Sequence, residues 1–263
     1  MDKILFFSQH LKKKNQKKWQ RFFTNLVRIS FLVILIGVIF FELYYLVTST
    51  SYLEIKQIKV TGNKKIDSRI LLRTANVYPG MKFYRLDKKA TMTRIKSLVW
   101  VKNVGLDFSS MRELDIRIEE RNPEAVVFSN DYFYEVDAEG VVLVKGIKNI
   151  DESLAIITGL KLNHEFFEGE RIEDRKFLLA IQWIDNLKNF LLEDISEINV
   201  ENEIKVYFFT INGVKIFPGE FVRFKENYPV VKKELELASK IKANIDYIDM
   251  RYDNEIIYKS SEK

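Results

Sequence analysis

The chain has 263 residues, of which 47% are hydrophobic and 30% charged; it contains no cysteine and carries a formal net charge of +5. Without cysteine neither a disulfide framework nor a thiolate metal site can form, so the folded part depends on its core alone. The positive excess lies in residues 1–28, where eight Lys/Arg against Asp2 give +7, while residues 48–263 sum to −1. A basic isoelectric point located in a tail is no argument for a nucleic-acid-binding body.

Residues 1–28 read as a short basic tail, with Lys3, Lys12, Lys13, Lys14, Lys17, Lys18, Arg21 and Arg28. A tail beside a membrane span most often faces anionic lipid. Residues 29–47 follow as an apolar run broken only by Glu42. As a helix this run is about 29 Å long, which matches a hydrocarbon core of roughly 30 Å. The Lys/Arg excess before it predicts a cytoplasmic N-terminus and an exported body. Tyr44 and Tyr45 suit an outer interface, and Glu42 is near enough to that end to snorkel, or else meets a polar partner in a helix assembly. A cleaved signal peptide is the alternative, with Val47-Thr48-Ser49 as small residues. The apolar run and the tail before it are both long for that reading.

The exported part begins with a strand over Ile55–Thr61, ended by Gly62-Asn63. Asp67 suits the cap of a helix, with Ile66 and Leu71 as a hydrophobic staple. After Tyr78-Pro79-Gly80 and Phe83–Leu86, a second helix capped by Asp87 turns Ala90, Ile95 and Leu98 inward. Val104, Leu106 and Phe108 alternate with polar residues in a second strand, and Ser109-Ser110 make a turn. Leu114, Ile116 and Ile118 alternate with charges in a third. The order β-α-α-β-β gives a small α+β unit of three strands and two helices.

Beyond Pro123 strands dominate. Tyr132–Val136 and Val141–Val144 flank a turn at Asp137–Gly140. A helix spans Asp174–Phe190, with Phe177, Ile181, Ile184 and Leu187 at helical spacing. Strands follow at Ile195–Val200, Ile204–Ile211 and Val214–Phe217, the last two joined by the strong turn Asn212-Gly213. A helix at Val222–Ala238 precedes one last strand, Tyr247–Tyr258. In it Ile248, Met250, Tyr252, Ile256 and Tyr258 share one face, and Arg251, Asp253 and Glu255 the other.

Catalytic chemistry finds little support. The two histidines, His10 and His164, lie far apart in sequence, and His164 beside Glu165 reads as an exposed loop residue. A zinc site needs three or four ligands with local spacing, and none is present. No Gly-rich phosphate loop precedes a helix. Carboxylate pairs such as Glu119/Glu120 and Asp151/Glu152 read as solvated surface. No enzyme, cofactor or metal is expected.

Several short runs resemble the FtsQ/DivIB family of bacterial cell-division proteins. Thr61-Gly62-Asn63, Val99-Trp100-Val101 and above all Glu120-Arg121-Asn122-Pro123-Glu124-Ala125 resemble its POTRA domain. Asp137-Ala138-Glu139-Gly140, Ile157-Thr158-Gly159, Tyr228-Pro229-Val230-Val231 and Tyr247–Asp253 are similar to the β domain that follows. The resemblance covers about 54–258. It implies an α+β chain: a tail at 1–28, a span at 29–47, a POTRA domain at 53–123, a mixed β-rich domain with a C-terminal helix and strand at 124–259, and a tail at 260–263. It also implies a scaffold in the plasma membrane at the division septum, binding FtsB- and FtsL-like bitopic proteins through the exported body. FtsK is the implied partner of the POTRA domain, and neither nucleic acid nor a small-molecule substrate is expected.

The expected docking edge is the last strand, because its outer N–H and C=O groups can template a partner strand. Its residues are Arg251, Tyr252, Asp253, Asn254, Glu255, Ile256, Ile257 and Tyr258. Arg251 is assigned either to a partner carboxylate or to an ion pair with Asp249 or Asp253; the phase of Tyr252 also suits the core. Two other readings stay open. A POTRA-bearing assembly or transport factor of the outer membrane would need tandem units or barrel segments, for which no alternating run is long enough. A membrane-anchored adhesin or sensor has no specific support.

Overall fold

A computed structural model describes residues 2–49, 51–188, 192–240, 245–252 and 255–260. Helix α1 runs unbroken over Asp2–Ser49, so the basic stretch 2–28 and the apolar residues 29–47 form one continuous helix. Its stretch Arg21–Ser49 is long and apolar enough to cross a membrane, and none of it is buried in the protein. The apolar residues 29–47 lie within that stretch.

A three-stranded sheet follows, with β1 (Gln57–Thr61), helices α2 (Ser68–Ala75) and α3 (Lys88–Lys96), β2 (Val101–Ser110) and β3 (Glu113–Glu120). The strand order β1-β3-β2 puts the cleanly alternating strand in the centre, and Leu114, Ile116 and Ile118 are buried. Asp67 caps α2 as expected, accepting the N–H of Arg69 at 2.7 Å. That contact with the Arg69 side chain and N–H lowers the Asp67 pKa to about 2. In α3 the buried residues are Thr91 and Ile95, while Ala90 and Leu98 are half-buried. The turn is at Met111-Arg112, since Ser109 and Ser110 still belong to β2; two serines do not outweigh strand pairing on both sides.

Residues after Pro123 form a nine-stranded sheet of β4 (Pro123–Ser129), β5 (Tyr132–Asp137), β6 (Val142–Lys145), β7 (Ile156–Thr158), β8 (Ile195–Asn199), β9 (Tyr207–Thr210), β10 (Lys215–Phe217), β11 (Ile245–Asp249) and β12 (Ile257–Ser260). Their order is β12-β11-β10-β9-β8-β7-β4-β5-β6. Helices α4 (Arg175–Leu187) and α5 (Phe221–Lys240) cover one face. Phe177, Ala180, Trp183, Ile184 and Leu187 of α4 and Phe224, Tyr228 and Val231 of α5 join Val127, Ile157, Ile198, Phe208, Ile216 and Ile248 in one core. Each such fully buried large side chain stabilises by about 1.5–3 kcal/mol. That packing carries α5 through Pro229, whose missing N–H costs an interior helix about 3 kcal/mol. Phe190, the expected end of α4, lies outside the described residues.

The hairpin β4–β5 turns at Asn130-Asp131, both with positive φ (52° and 62°), the geometry of a two-residue turn matched to strand twist. Sequence reading missed it, because Asn-Asp lacks the glycine that usually marks such turns. Asn212-Gly213 turns as expected, with Gly213 at φ 79°.

The Glu120–Ala125 run has two jobs. Glu120 accepts the N–H groups of Lys65 (2.9 Å) and Ile66 (2.9 Å). Burial opposes its ionisation, but these N–H donors outweigh it and hold its pKa below the ordinary value. Arg121 reaches the β5–β6 turn, at 2.5 Å from Asp137 Oδ2 and 3.0 Å from Glu139 Oε2. Lys102 and Arg171 also reach Glu139, each at 3.3 Å. Gly62 is equally constrained: at φ +87° an added Cβ would run into the Ile118 carbonyl oxygen.

Candidate docking edge

The C-terminal segment is not one strand. Helix α5 is the crossover that lays β11 parallel to β10, pairing Lys215 with Tyr247, Ile216 with Ile248 and Phe217 with Asp249. After Met250, whose N–H reaches the Phe217 carbonyl at 2.9 Å, strand pairing stops. It resumes in β12, which returns antiparallel along β11 with Ile248 opposite Tyr258 and Asp249 opposite Ile257. The expected single strand Tyr247–Tyr258 is therefore a hairpin. Its alternation persists across the loop, which is why periodicity concealed the reversal.

Strand β12 is outermost in the sheet, and no described strand pairs with its far side. Its side chains are open on both faces: Ile257 is 37% and Tyr258 40% exposed. Tyr258 stands opposite the core residue Ile248, so it lies on the helix-covered face; burial first and then Glu234 of α5 raise its pKa. Lys259 lies on the other face, 5.9 Å from the Tyr247 ring centroid. That helix-free face continues inward as a stripe the sequence reading did not single out. Lys215 stands 3.6 Å from the Tyr207 centroid, and Phe217 and Tyr247 meet edge-on at 6.0 Å. Its sequence signal was the alternation Tyr207-x-Phe209 and Lys215-x-Phe217. Chemically the edge offers backbone donors and acceptors that no described strand pairs, flanked by apolar side chains and the Lys259 amine.

The eight expected site residues separate. Arg251 is held inside its own domain: Nε lies 2.8 Å from Asp249 Oδ1 and the terminal nitrogen 2.5 Å from Oδ2. The guanidinium also stacks 4.6 Å from the Phe217 centroid. The Asp249 side chain is 7% exposed and that of Arg251 37%. The Arg251 hydrogen bonds, acting against burial, keep the Asp249 pKa below its ordinary value. Of the two assignments open for Arg251, the structure contains the ion pair with Asp249. Tyr252 is exposed rather than in the core that its phase suggested. Asp253 and Asn254 lie outside the described residues. Glu255 is exposed, and Ile256 packs partly against the core. Only Ile257 and Tyr258 belong to the edge strand itself.

Among the described residues no three His, Asp or Glu side chains converge as a metal site. His164 is exposed, stacked on Phe166 at 4.3 Å.

Two family descriptions match the chain. A POTRA domain of the FtsQ type matches residues 53–121, and the FtsQ/DivIB C-terminal domain matches residues 125–251. The chain is similar to the cell division protein FtsQ of Geobacter sp. (strain M21), 30% identical over 83% of this chain and 80% of that protein. It is also similar to FtsQ of Syntrophotalea carbinolica, 27% identical over 80% of this chain and 75% of the relative. The cell division protein DivIB of Bacillus subtilis is 25% identical over 88% of this chain and 82% of its own length.

Proposed function

This chain belongs to the FtsQ/DivIB family of cell division proteins, and from that premise we propose that it is a non-enzymatic, single-pass scaffold of the division machinery. Its N-terminus lies in the cytoplasm, α1 spans the plasma membrane, and the folded body works outside at the septum. The body holds FtsB- and FtsL-like bitopic proteins, linking early and late division proteins, and the POTRA domain meets an FtsK-like protein.

The observation that carries the reading is β12, an edge strand with no described strand on its outer side and half-open side chains on both faces. Such an edge is an aggregation liability unless it is covered, and an extended partner segment covers it by pairing main chain to main chain. Lys259, in that strand, is the usual protection against unwanted pairing and favours an acidic partner segment over a second copy of the edge. The +7 tail before the span supports the orientation.

A fusion of a fluorophore that matures only in the cytoplasm tests anchor and role together. At the N-terminus it should light up midcell; at the C-terminus it should stay dark. An even envelope signal from the N-terminal fusion would refute the division role, and a bright C-terminal fusion the topology.

A further inference from the structure

The part of the fold that follows α1 most directly has an exposed aromatic rim. Ile55 is fully buried and so fixed in its domain, and it lies six residues beyond Ser49, the end of α1. Six residues reach at most about 20 Å. Two loops are bonded to this entry point. The Ile55 N–H reaches the Met81 carbonyl at 2.9 Å, and the Gly80 N–H returns to the Ile55 carbonyl at 2.8 Å. Lys82 adds an ion pair to Glu54 at 3.2 Å. The N–H groups of Lys56 and Gln57 share the Arg112 carbonyl at 2.7 and 3.1 Å, and the Arg112 guanidinium lies 5.7 Å from the Tyr52 ring.

These loops leave four large side chains open: Tyr52 (76%), Met111 (62%), Tyr78 (57%) and Tyr84 (44%). Lys56 and Arg85 are exposed beside them, while Asp87 and Glu113 keep the local charge nearly balanced. Tyrosine with an apolar body and a polar tip is the chemistry of the membrane–water interface, and Tyr44 and Tyr45 in the last turns of α1 have the same character.

We propose that the rim of Tyr52, Tyr78, Tyr84 and Met111 rests on the head-group layer of the outer leaflet into which α1 inserts. The first folded domain is thus docked on the lipid surface rather than only tethered to it. The proposal rests on α1 being the anchor. Its driving force is burial of aromatic and thioether surface, with charge a minor part, so the lipid need not be anionic.

The native chain has no cysteine, which makes a direct test simple. The full-length protein is reconstituted in vesicles with one bimane-labelled cysteine, and nitroxide lipids quench it either at the head group or deep in the acyl chains. Val38→Cys, in α1, should be quenched by the deep nitroxide; if it is not, the anchor reading fails and the proposal falls with it. With α1 inserted, Tyr84→Cys and Met111→Cys should be quenched by the head-group nitroxide several-fold more than the exposed control Ile204→Cys. That difference should persist in zwitterionic vesicles. In a Tyr52→Ser/Tyr78→Ser background, quenching at Met111→Cys should fall to the control level. Equal quenching at rim and control, contact seen only in anionic vesicles, or contact unchanged by the serine substitutions would each overturn the proposal.

Discussion

Replacing Arg251 by methionine should loosen the β-rich domain rather than act on a partner directly. The substitution removes two charge-assisted hydrogen bonds to Asp249 and the stack over Phe217, leaving a carboxylate that is 7% exposed with the Arg251 N–H still 3.1 Å away. Breaking a fully buried pair costs about 3–5 kcal/mol, but the guanidinium here is more than a third exposed, so water offsets part of the loss. About 1–2 kcal/mol remains for the pair, and the lost cation–π contact adds about 0.5–1 kcal/mol. A loss of about 1.5–3 kcal/mol should lower the melting temperature by several degrees. Fluorescence of Trp183, which packs on Phe208 and Phe224, reports the transition once Trp19 and Trp100 are replaced by phenylalanine. The sign in acid follows from the depressed Asp249 pKa. The pair contributes fully above the unfolded value of about 3.9 and is lost as pH falls through the lower folded value, so wild type and variant should converge there. An unchanged melt at neutral pH, or a gap that widens in acid, would refute this account. Arg251→Glu sets a second carboxylate beside Asp249, so on its own it cannot distinguish a lost partner from a damaged domain.

Two further substitutions probe the recognisable runs. Gly62→Ala must take up φ +87° and push back the Ile118 carbonyl, costing about 2–4 kcal/mol from strain and overpacking together; faster amide exchange across β3 would register it, and wild-type protection would contradict it. Arg121→Met leaves Asp137, 6% exposed, with only the Glu139 and Val141 N–H groups at 2.9 Å, and should cost about 2–4 kcal/mol. A urea midpoint equal to wild type would show that the ion cluster is incidental.

Much of this architecture is legible in the residues because its signals are local. A nineteen-residue apolar run, an Asp cap before Leu71, alternation in Leu114–Ile118 and the pair Asn212-Gly213 each fix their own element. What stayed hidden is non-local or phase-neutral. The parallel pairings of β4 with β7 and of β10 with β11 depend on crossovers that no short pattern encodes. The Asn130-Asp131 turn depends on two asparagine-like residues accepting positive φ, without the glycine that would have marked it. The reversal between β11 and β12 keeps apolar and polar residues in phase, so a hairpin reads as one strand. For the candidate site this meant that the docking edge was expected over Arg251–Tyr258, whereas the outermost strand begins only at Ile257 and Arg251 serves Asp249.

Consecutive prolines in β12 test the docking edge most directly. Along an edge strand one N–H points to the neighbouring strand and the next points outward, so of Tyr258→Pro and Lys259→Pro only one removes an outward donor. The full-length variants are co-purified with the FtsB-like protein of the same bacterium, and the Trp183 melt of each is recorded alongside. The expected result is that one proline lowers the melt, while the other leaves it unchanged and still abolishes capture of the partner. Wild-type capture by the variant whose melt is unchanged would contradict strand addition at β12.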